Sequence, residues 1–519
     1  MQVAILHYHL HPGGVTQVIG HHLRAMRLVA DRLGVEAAAV LYDGERSPAA
    51  ERLVDERSTG PGVRLVPVPG LAYDAGTACD PEGLAAELQS ALDGCGFASE
   101  RTLLHIHNHS LGKNSSLPGA VRQLAAAGYR QLLQIHDFAE DLRPANYRHL
   151  ADSWQLSDTN DVSRGLYPCA AQIHYAVLNH RDYGVLQSAG VAAGRLHLLP
   201  NPVGSPDRIE DPASARLAFE GEFDCRDSAG VVVYPVRGIR RKNLGEFLLT
   251  SALTKPGTIS AVTLPATSAA EVPSYDAWRG VAARLQLPVR WEVGLSDRLS
   301  FPEIIAASDR ILTTSIAEGF GMVFLEAWLY GRMLVGRNLP EITSDFVDRG
   351  VDLEHLASSI EIPTSWIGAD AFAASLRESF GELAARYGCD PESFDQETLD
   401  RLASSESVDF ARLTPQHQSD VIERVWTDPA SREAIRAGNS ALWNSLACDA
   451  AGFQPLIDRN ADAVREHWSL EASSKRLEGV YRSVMSSGCS ETVGVVESPE
   501  RVLEQFLSID RLYPLRVAP

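Results

Sequence analysis

Residues 3–16 read Val-Ala-Ile-Leu-His-Tyr-His-Leu-His-Pro-Gly-Gly-Val-Thr. The stretch begins with a short apolar run typical of a buried strand, and its Gly-Gly pair opens a helix-period segment from Thr16 to Leu33. Adjacent glycines let a ligand approach the backbone, and the start of a helix offers free N–H groups to an anion. The pattern predicts a strand, a phosphate-binding turn and a helix, although glycine pairs also occur in turns that are merely tight.

Outward from this turn, short apolar runs alternate with longer helix-period segments, a pattern typical of parallel sheets built from βαβ units. Leu199-Pro-Asn-Pro-Val-Gly-Ser-Pro206 interrupts the alternation with three prolines, which neither a helix nor a central strand tolerates. The alternation then restarts, so we predict two α/β domains. The predicted strands are 3–7, 37–41, 64–68, 102–107, 131–135 and 176–178 in the first half, then 231–234, 259–264, 289–293, 310–314 and 333–335.

The proline cluster and the fading of the strand signal set the predicted domain boundaries. We place one domain over 1–203 and a second over 204–450, with a helical insertion at about 345–430. Residues 451–519 are predicted to be closing helices that pack back across the domains. The amphipathic segment Glu466 to Met485 is the expected docking helix.

Composition and charge exclude several classes of protein. The chain has 519 residues and a formal net charge of −20, which repels nucleic acid and anionic membranes in the absence of a large basic patch. Seven scattered cysteines have no metal or redox spacing and favour a reducing compartment. Residues 1–10 lack signal-peptide features, and no apolar run is long enough to span a bilayer. We therefore expect a cytoplasmic protein with no nucleic-acid partner and no stable membrane insertion.

A short basic stretch, Tyr234-Pro-Val-Arg-Gly-Ile-Arg-Arg-Lys-Asn243, follows the first predicted strand of the second domain. Ligands of open α/β sheets bind at the carboxyl ends of the strands. Arg237 offers a planar fork and Lys242 a point charge, so the pair could neutralise a diphosphate without a metal. The alternative for this stretch alone is a solvated basic loop.

The most specific stretch is Ser315-Ile-Ala-Glu-Gly-Phe-Gly-Met-Val-Phe-Leu-Glu-Ala327. A glycine loop turns into a helix between Glu318 and Glu326, so one carboxylate lies at the start of the helix and the other about two turns along it. Carboxylates are good acceptors for sugar hydroxyl groups. The alternative is that Glu318 caps the helix and Glu326 is an ordinary surface acid.

With these three motifs in this order, the sequence resembles the family-4 retaining glycosyltransferases. The resemblance covers roughly residues 1–345 and the closing helix. It implies the GT-B fold, an α/β architecture of two Rossmann-like, doubly wound parallel-sheet domains facing a cleft, here with a helical C-terminal extension.

The resemblance also implies roles for individual residues. Gly14 would face the donor phosphate, Glu318 would hold hydroxyls of the donor sugar, and Glu326 would hold the ribose. The implied catalytic set is His136, Arg237, Lys242 and Glu318. The implied donor-binding set is Gly13, Gly14, Val15, Arg237, Lys242, Gly319, Phe320, Gly321, Met322 and Glu326. The acceptor-binding candidates are Asn108, His109, Lys113 and Asp137.

Two histidine trios alternate along the chain, at positions 7, 9 and 11 and at 105, 107 and 109. Alternation on a strand puts each trio on one face. No acidic residue has ligand spacing to them, and the family resembled works without a metal. We therefore predict no metal site.

The resemblance implies retaining transfer of a hexose from a nucleotide diphosphate sugar, of the UDP-glucose or GDP-mannose type, and we expect a hydroxyl of a soluble acceptor to receive it. The nucleotide sugar is a co-substrate, and no cofactor is expected. The alternatives are a GT-B phosphorylase, a sugar-nucleotide epimerase and a non-catalytic nucleotide-sugar-binding protein. The sequence leaves open whether the protein forms a homo-oligomer.

Overall fold

The structure is a computed structural model that describes residues 1–45, 47–51, 53, 62–76, 78–206, 210–226, 228–392, 395–447 and 450–517. The chain forms two compact units. The first comprises Met1–Pro202, Leu383–Ser393 and His467–Ser508, and the second comprises Val203–Glu382, Phe394–Glu466 and Ile509–Pro519. The first change of unit lies one residue before the boundary expected at the proline cluster. The finer division into three predicted domains stays a prediction.

The strands are numbered in chain order. They are β1 Gln2–Leu6, β2 Ala37–Tyr42, β3 Val63–Pro67, β4 Thr102–His107, β5 Arg130–Gln134, β6 Pro168–Cys169, β7 Ile173–Val177, β8 Leu196–Leu198, β9 Gly230–Arg237, β10 Thr258–Leu264, β11 Val289–Arg290, β12 Arg310–Thr313, β13 Met333–Gly336, β14 Glu361–Pro363, β15 Ser407–Asp409 and β16 Gly494–Val495.

The α-helices are numbered in the same way. They are α1 Gly14–Leu33, α2 Pro48–Glu51, α3 Pro81–Gly94, α4 Leu117–Ala126, α5 Pro144–Ser153, α6 Val162–Leu166, α7 His180–Ser188, α8 Pro212–Glu222, α9 Leu244–Leu253, α10 Val272–Leu285, α11 Phe301–Ala307, α12 Val323–Leu329, α13 Pro340–Val347, α14 Ala369–Tyr387, α15 Gln396–Ala403, α16 Pro415–Thr427, α17 Pro429–Gly438, α18 Ser440–Ala447, α19 Gln454–Trp468, α20 Leu470–Met485, α21 Arg501–Phe506 and α22 Pro514–Val517.

The first unit is built on a parallel sheet in the order β3-β2-β1-β4-β5-β7-β8. Its central strands are buried on both faces, as expected where helices cover a parallel sheet. The short edge strand β8, which pairs with β7, was not predicted from the sequence. The α/β prediction for this half is otherwise confirmed, with strand ends within a few residues of those expected.

The C-terminal helix α20 belongs to the core of the first unit. Its residues Leu477, Val480, Tyr481 and Val484 follow helical spacing and are buried beside α1 and the sheet. The predicted continuous helix from 466 to 485 is wrong in one respect. The Ser469 side chain accepts a hydrogen bond from the Ala472 N–H at 3.3 Å, so a new helix begins there.

The second unit is built on a parallel sheet in the order β11-β10-β9-β12-β13. The strand expected over 289–293 ends earlier, at Arg290, because Glu292 adopts a left-handed conformation (φ 62°) and leads into a turn of 3₁₀-helix. The fold prediction of two parallel α/β sheets with a helical C-terminal region is confirmed.

The region expected to be a helical insertion, about 345–430, is mostly helical but also contains a small antiparallel pair, β14 with β15. An internal ion network holds this pair to the sheet of the second unit. Arg337 follows β13 and is 1% exposed, and its guanidinium donates to Glu246 at 2.6 Å and to Asp409 at 2.7 Å. The strand pair was not foreseen because three-residue strands carry too little periodicity to detect.

Among the described residues, no helix is both long and apolar enough to cross a membrane.

Candidate active site

In the second unit, the two most informative sequence motifs follow the adjacent strands β9 and β12. Both therefore emerge at the carboxyl edge of the sheet. The Thr314 hydroxyl donates to the Lys242 carbonyl at 2.9 Å, and the Ile316 N–H donates to the Arg241 carbonyl at 2.9 Å. The Tyr234 and Ser315 hydroxyl groups are 2.9 Å apart. These bonds fix the basic loop against the loop that carries Glu318.

Glu318 is the centre of an ion cluster. The Lys242 ammonium donates a hydrogen bond to one of its carboxylate oxygens, and Arg241 Nη1 lies 3.4 Å from the other. Burial opposes ionisation of Glu318, but the attraction of Lys242 and Arg241 outweighs it and lowers the pKa of this carboxyl. Burial, reinforced by the repulsion of Arg241, lowers the pKa of Lys242. The cluster carries two cations and one carboxylate, so it leaves excess positive charge at this edge.

Arginine at position 241 is the member that the sequence analysis missed. Arg241 belongs to the same basic run as Lys242, but the positions of the two residues in the sequence do not show that Arg241 pairs with Glu318. Arg237, which was expected to act with Lys242, is exposed and donates instead to the Thr267 hydroxyl at 3.0 Å. The structure brings Lys242 and Glu318 together but gives Arg237 a different partner, so the role expected for Arg237 stays a prediction.

Glu326 lies on α12 and has a different environment from Glu318. Burial raises the pKa of its carboxyl group to about 7. Within the described part of the chain, its carboxylate forms no hydrogen bond or ion pair. A partly buried carboxylate without a protein partner has spare capacity to accept hydrogen bonds from hydroxyl groups.

The loop between the two carboxylates is fixed by packing. The Phe320 ring is buried, with its centroid 5.4 Å from that of Phe346. Gly321 has φ 82°, and a Cβ there would come within 2.8 Å of the Phe324 ring. Met322 precedes α12, and its carbonyl accepts from the Glu326 N–H at 2.8 Å. The donor contacts expected of this loop, including Gly319, stay predictions.

In the first unit, the expected site residues follow three neighbouring strands, β1, β4 and β5. After β1, Gly13 is extended and exposed, and Gly14 begins the 20-residue helix α1. The Thr16 hydroxyl donates to the His11 carbonyl at 2.7 Å and closes the turn. A Cβ on Gly14 would meet nothing within 4 Å, so there is open space beside the start of α1.

After β4 and β5, Asn108 organises the turn that carries His136 and Asp137. Its side-chain oxygen accepts from the backbone N–H of His136 at 2.7 Å and from that of Asp137 at 3.1 Å. Asn108 has φ 57°, a left-handed conformation that asparagine tolerates better than most residues. The Tyr8 hydroxyl donates to its carbonyl at 2.6 Å. These contacts make Asn108 a positioning residue for the turn, and the acceptor contact expected of it stays a prediction.

The side chains of His136 and Asp137 also have protein partners. His136 Nε2 lies 2.8 Å from His107 Nδ1, and burial lowers the pKa of His136 to about 4, so its ring is neutral. Asp137 pairs with Arg143, which the sequence analysis did not select. His136 and Asp137 are thus held in fixed orientations at this strand end.

The remaining acceptor candidates lie in different environments. His109 is fully buried, and its Nε2 donates to the Leu166 carbonyl at 2.9 Å. Lys113 is exposed, with its ammonium 5.9 Å from the centroid of the Tyr73 ring. The acceptor contacts expected of both residues stay predictions.

Among the described residues, two sets of side chains have donor atoms close enough to hold a metal ion. One is partly exposed and lies beside the Gly-Gly turn, where His11 already pairs with Glu45 at 3.0 Å and Asp43 is nearby. The other is buried and consists of His22, His105 and His107. The expectation that the first trio lies on a strand face is wrong, because β1 ends at Leu6, before His7.

No protein-family model matches the sequence. The chain is 26% identical over 352 residues to the mannosylglucosyl-3-phosphoglycerate synthase of Petrotoga mobilis, a match that spans 66% of each protein. The structure is similar to that of Anabaena Alr3699/HepE in complex with UDP and glucose (TM-score 0.53, 14% identity, 93% of this chain and 100% of that chain). It is also similar to the sucrose-phosphate synthase of Thermosynechococcus elongatus (TM-score 0.53, 14% identity, 93% and 98%). The chain has the GT-B fold that these structures share.

Proposed function

We propose that this protein is a glycosyltransferase that transfers a hexose from a nucleotide diphosphate sugar to a hydroxyl group of a soluble acceptor, with retention of configuration. One observation carries the proposal. In a chain with the GT-B fold, Lys242 and Arg241 converge on Glu318 where β9 and β12 end. Such a cluster suits a ligand that joins a diphosphate to a polyhydroxylated sugar.

The two cations of the cluster, Lys242 and Arg241, suit a nucleotide diphosphate as the leaving group. Transfer of the sugar leaves negative charge on the nucleotide diphosphate, and fixed cations stabilise a transition state in which that charge develops. Lys242 provides a compact point charge and Arg241 a planar fork. We assign stabilisation of the diphosphate to these two residues and propose that Arg237 joins them when its side chain turns away from Thr267.

The carboxylates fit the hydroxyl groups of the donor. Glu318 is held ionised by its two cations, so it can accept hydrogen bonds from the hexose while remaining oriented by Lys242. Glu326 has no protein partner in the described residues and is assigned to the ribose. Hydrogen bonds from ribose hydroxyls would favour its ionised form and lower its raised pKa.

In the proposed reaction, the acceptor oxygen bonds to the anomeric carbon on the face from which the diphosphate departs. The bond between that carbon and the phosphate oxygen breaks, its electron pair stays on the phosphate, and the acceptor proton passes to a phosphate oxygen. The backbone N–H groups of Gly14 and Val15 are assigned to the phosphates. His136 is assigned a hydrogen bond to the reacting sugar, with Asn108 holding its backbone.

A binding experiment tests the donor assignment. Melting temperatures are compared with UDP, GDP, ADP and their sugar conjugates, in chelator, because a ligand that binds only the folded state raises the melting temperature. We expect stabilisation by one nucleotide family, reduced in Lys242→Ala and retained in Lys255→Ala, a change at an exposed lysine of the same unit. No shift with any nucleotide would contradict the proposal.

A turnover experiment tests the reaction. The name of the Petrotoga relative directs the first screen to GDP-mannose as donor and glucosyl-3-phosphoglycerate as acceptor, with UDP-glucose and simple sugars in parallel. Proton NMR of the product should show the anomeric configuration of the donor. Product formation only with inorganic phosphate would indicate a phosphorylase, and binding without any turnover would indicate a nucleotide-sugar-binding protein.

A further inference from the structure

Three histidines meet in the interior of the first unit, next to His136 but not themselves assigned to the donor. His105 and His107 are alternate residues of β4 and therefore point to the same face of the sheet. Their ring centroids are 4.5 Å apart, and the ring of His22, from α1, lies 5.1 Å from that of His105 and 5.6 Å from that of His107. One ring nitrogen from each lies within 4.8 Å of the other two.

His22 is the unusual member of this set. It is 1% exposed, and neither of its ring nitrogens has a hydrogen-bond partner. A neutral imidazole carries one donor and one acceptor, and each one left unmet in the interior destabilises the fold. An ordinary core position would be occupied more favourably by leucine. His107 adds a third unmet atom, its buried Nε2.

We propose that His22, His105 and His107 form a binding site for a divalent transition metal, with Zn²⁺ as the metal that such a set of nitrogen ligands suits best. Neutral imidazoles are common ligands of zinc, and three of them leave a fourth position for a small ligand. Zinc–nitrogen bonds of about 2.0–2.1 Å require ligand nitrogens about 3.4 Å apart. The three rings are stacked at 24° to 34° to one another, so they must approach and also rotate toward a common point when the metal binds.

The surroundings of His105 and His107 provide the outer hydrogen bonds that metal-bound histidines usually have, whereas His22 has no such partner among the described residues. His105 Nε2 lies 2.8 Å from Gln134 Oε1, and this hydrogen bond can persist when the metal binds. His105 Nδ1 lies 2.9 Å from the Tyr481 hydroxyl and would exchange this partner for the metal. His107 Nδ1 lies 2.8 Å from His136 Nε2. With its Nε2 on the metal, His107 must keep its proton on Nδ1 and donate it to His136.

Through the hydrogen bond between His107 and His136, metal binding would affect the turn at the end of β5. Because His136 Nε2 accepts the proton donated by His107, His136 must carry its own proton on Nδ1. The metal thereby selects one tautomer of His136, the residue assigned to the reacting sugar. The metal would act as a structural element rather than as a ligand of the diphosphate. The alternation in the sequence points only to the two trios, whereas the structure adds His22 from a helix and gives His109 a different partner.

The test measures metal binding to the full-length protein without nucleotide, so its outcome is independent of the transferase assignment. Metal is removed with a chelator, and Zn²⁺ is returned in competition with a chromophoric chelator while the melting temperature is recorded. We expect one equivalent per chain and a higher melting temperature. Failure to bind one equivalent would overturn the proposal.

Matched variants locate the ion. His22→Leu should lower zinc affinity at least 100-fold while remaining folded, because it removes two unmet nitrogens. His197→Leu, at a histidine of β8 outside the cluster, should bind as the unmodified protein does. His11→Ala tests the partly exposed set beside the Gly-Gly turn. Loss of zinc in His11→Ala, with binding retained in His22→Leu, would overturn the proposal.

A second variant keeps the test decisive if His22→Leu does not fold. His22→Cys supplies a thiolate at the same position, and Co²⁺ bound to sulfur produces a charge-transfer band that nitrogen ligands do not. We expect that band in His22→Cys loaded with Co²⁺ and its absence in the unmodified protein. Absence of the band in the folded variant would contradict ligation at position 22.

Discussion

The Lys242 ammonium donates a hydrogen bond to the carboxylate of Glu318, although the two residues are 76 positions apart in the chain. Two neighbouring strands produce this contact, because β9 and β12 are parallel and their following loops leave the sheet at the same edge. Backbone hydrogen bonds then hold one loop against the other. The pair is a fixed feature of the fold and does not depend on a ligand to bring it together.

The first prediction concerns this pair. Lys242→Ala removes the point charge assigned to the leaving diphosphate and leaves Glu318 with Arg241 alone. Loss of one preorganised electrostatic group typically costs about 10²- to 10³-fold in kcat. Initial rates of product formation measure the effect, and Lys255→Ala is the matched control. A kcat within twofold of the unmodified enzyme would remove Lys242 from the mechanism.

The alternation of strands and helices predicted the α/β architecture because burial and periodicity act locally along the chain. The same reasoning could not detect β8, β14 or β15, which are too short for a pattern. It also could not foresee that a single capping serine, Ser469, divides the C-terminal helical segment. Propensity and periodicity determine where elements occur, whereas individual side-chain contacts determine where they end.

The candidate site could be predicted only in part. Lys242 and Glu318 were identified from motif and order, and the parallel sheet brings them together. Arg241 was missed because its partner comes from another strand end. The left-handed conformation of Asn108 was also missed, since a positive φ at a non-glycine residue depends on the hydrogen bonds that surround it.

The second prediction separates the contribution of the Asn108 side-chain oxygen from that of its left-handed backbone conformation. Asn108→Gly keeps the left-handed conformation but removes the oxygen that accepts from the His136 and Asp137 N–H groups. Two unmet donors, at about 1–3 kcal/mol each, should lower the free energy of unfolding by about 2–6 kcal/mol. Asn108→Ala should cost about 1 kcal/mol more, because a Cβ disfavours this conformation. Urea denaturation of both variants measures the difference.

A third variant checks the role of the Asn108 side-chain oxygen. Asn108→Asp retains an acceptor oxygen at the same position and should lose less stability than Asn108→Gly. Equal stability of all three variants and the unmodified protein would mean that the turn holds itself without the side chain of Asn108.

The third prediction concerns the buried ion network of the second unit. Arg337→Met leaves the carboxylates of Glu246 and Asp409 without their shared guanidinium, and removal of one partner of a buried ion pair typically costs about 3–5 kcal/mol. Arg298→Met, at a pair with Glu222 in which the arginine is 81% exposed, should cost less than about 1 kcal/mol. Chemical denaturation of both variants measures the contrast. Similar losses would show that burial does not govern the strength of these pairs.

The last prediction concerns the pH dependence of stability. Burial raises the pKa of Glu140 to about 7 in the first unit, against hydrogen bonds donated to it by Ser163 and Tyr167 at 3.0 Å each. Between about pH 4.5, the ordinary value for this carboxyl, and pH 7, the folded protein holds a proton that the unfolded chain releases. Folding stability contributed by this group must therefore fall as the pH rises through that interval, by about 3 kcal/mol in total.

Glu140→Gln removes the titrating group while keeping an amide of similar shape that can bond to both hydroxyls. The variant should lose this negative slope, so its free energy of unfolding relative to the unmodified protein should increase from pH 5 to pH 8. Glu504→Gln, at an exposed glutamate of α21 in the same unit, controls for the change in net charge. Urea denaturation at several pH values provides the measurement. A difference between Glu140→Gln and the unmodified protein that does not change with pH would show that Glu140 is ionised in the folded state, with the hydrogen bonds of Ser163 and Tyr167 outweighing its burial.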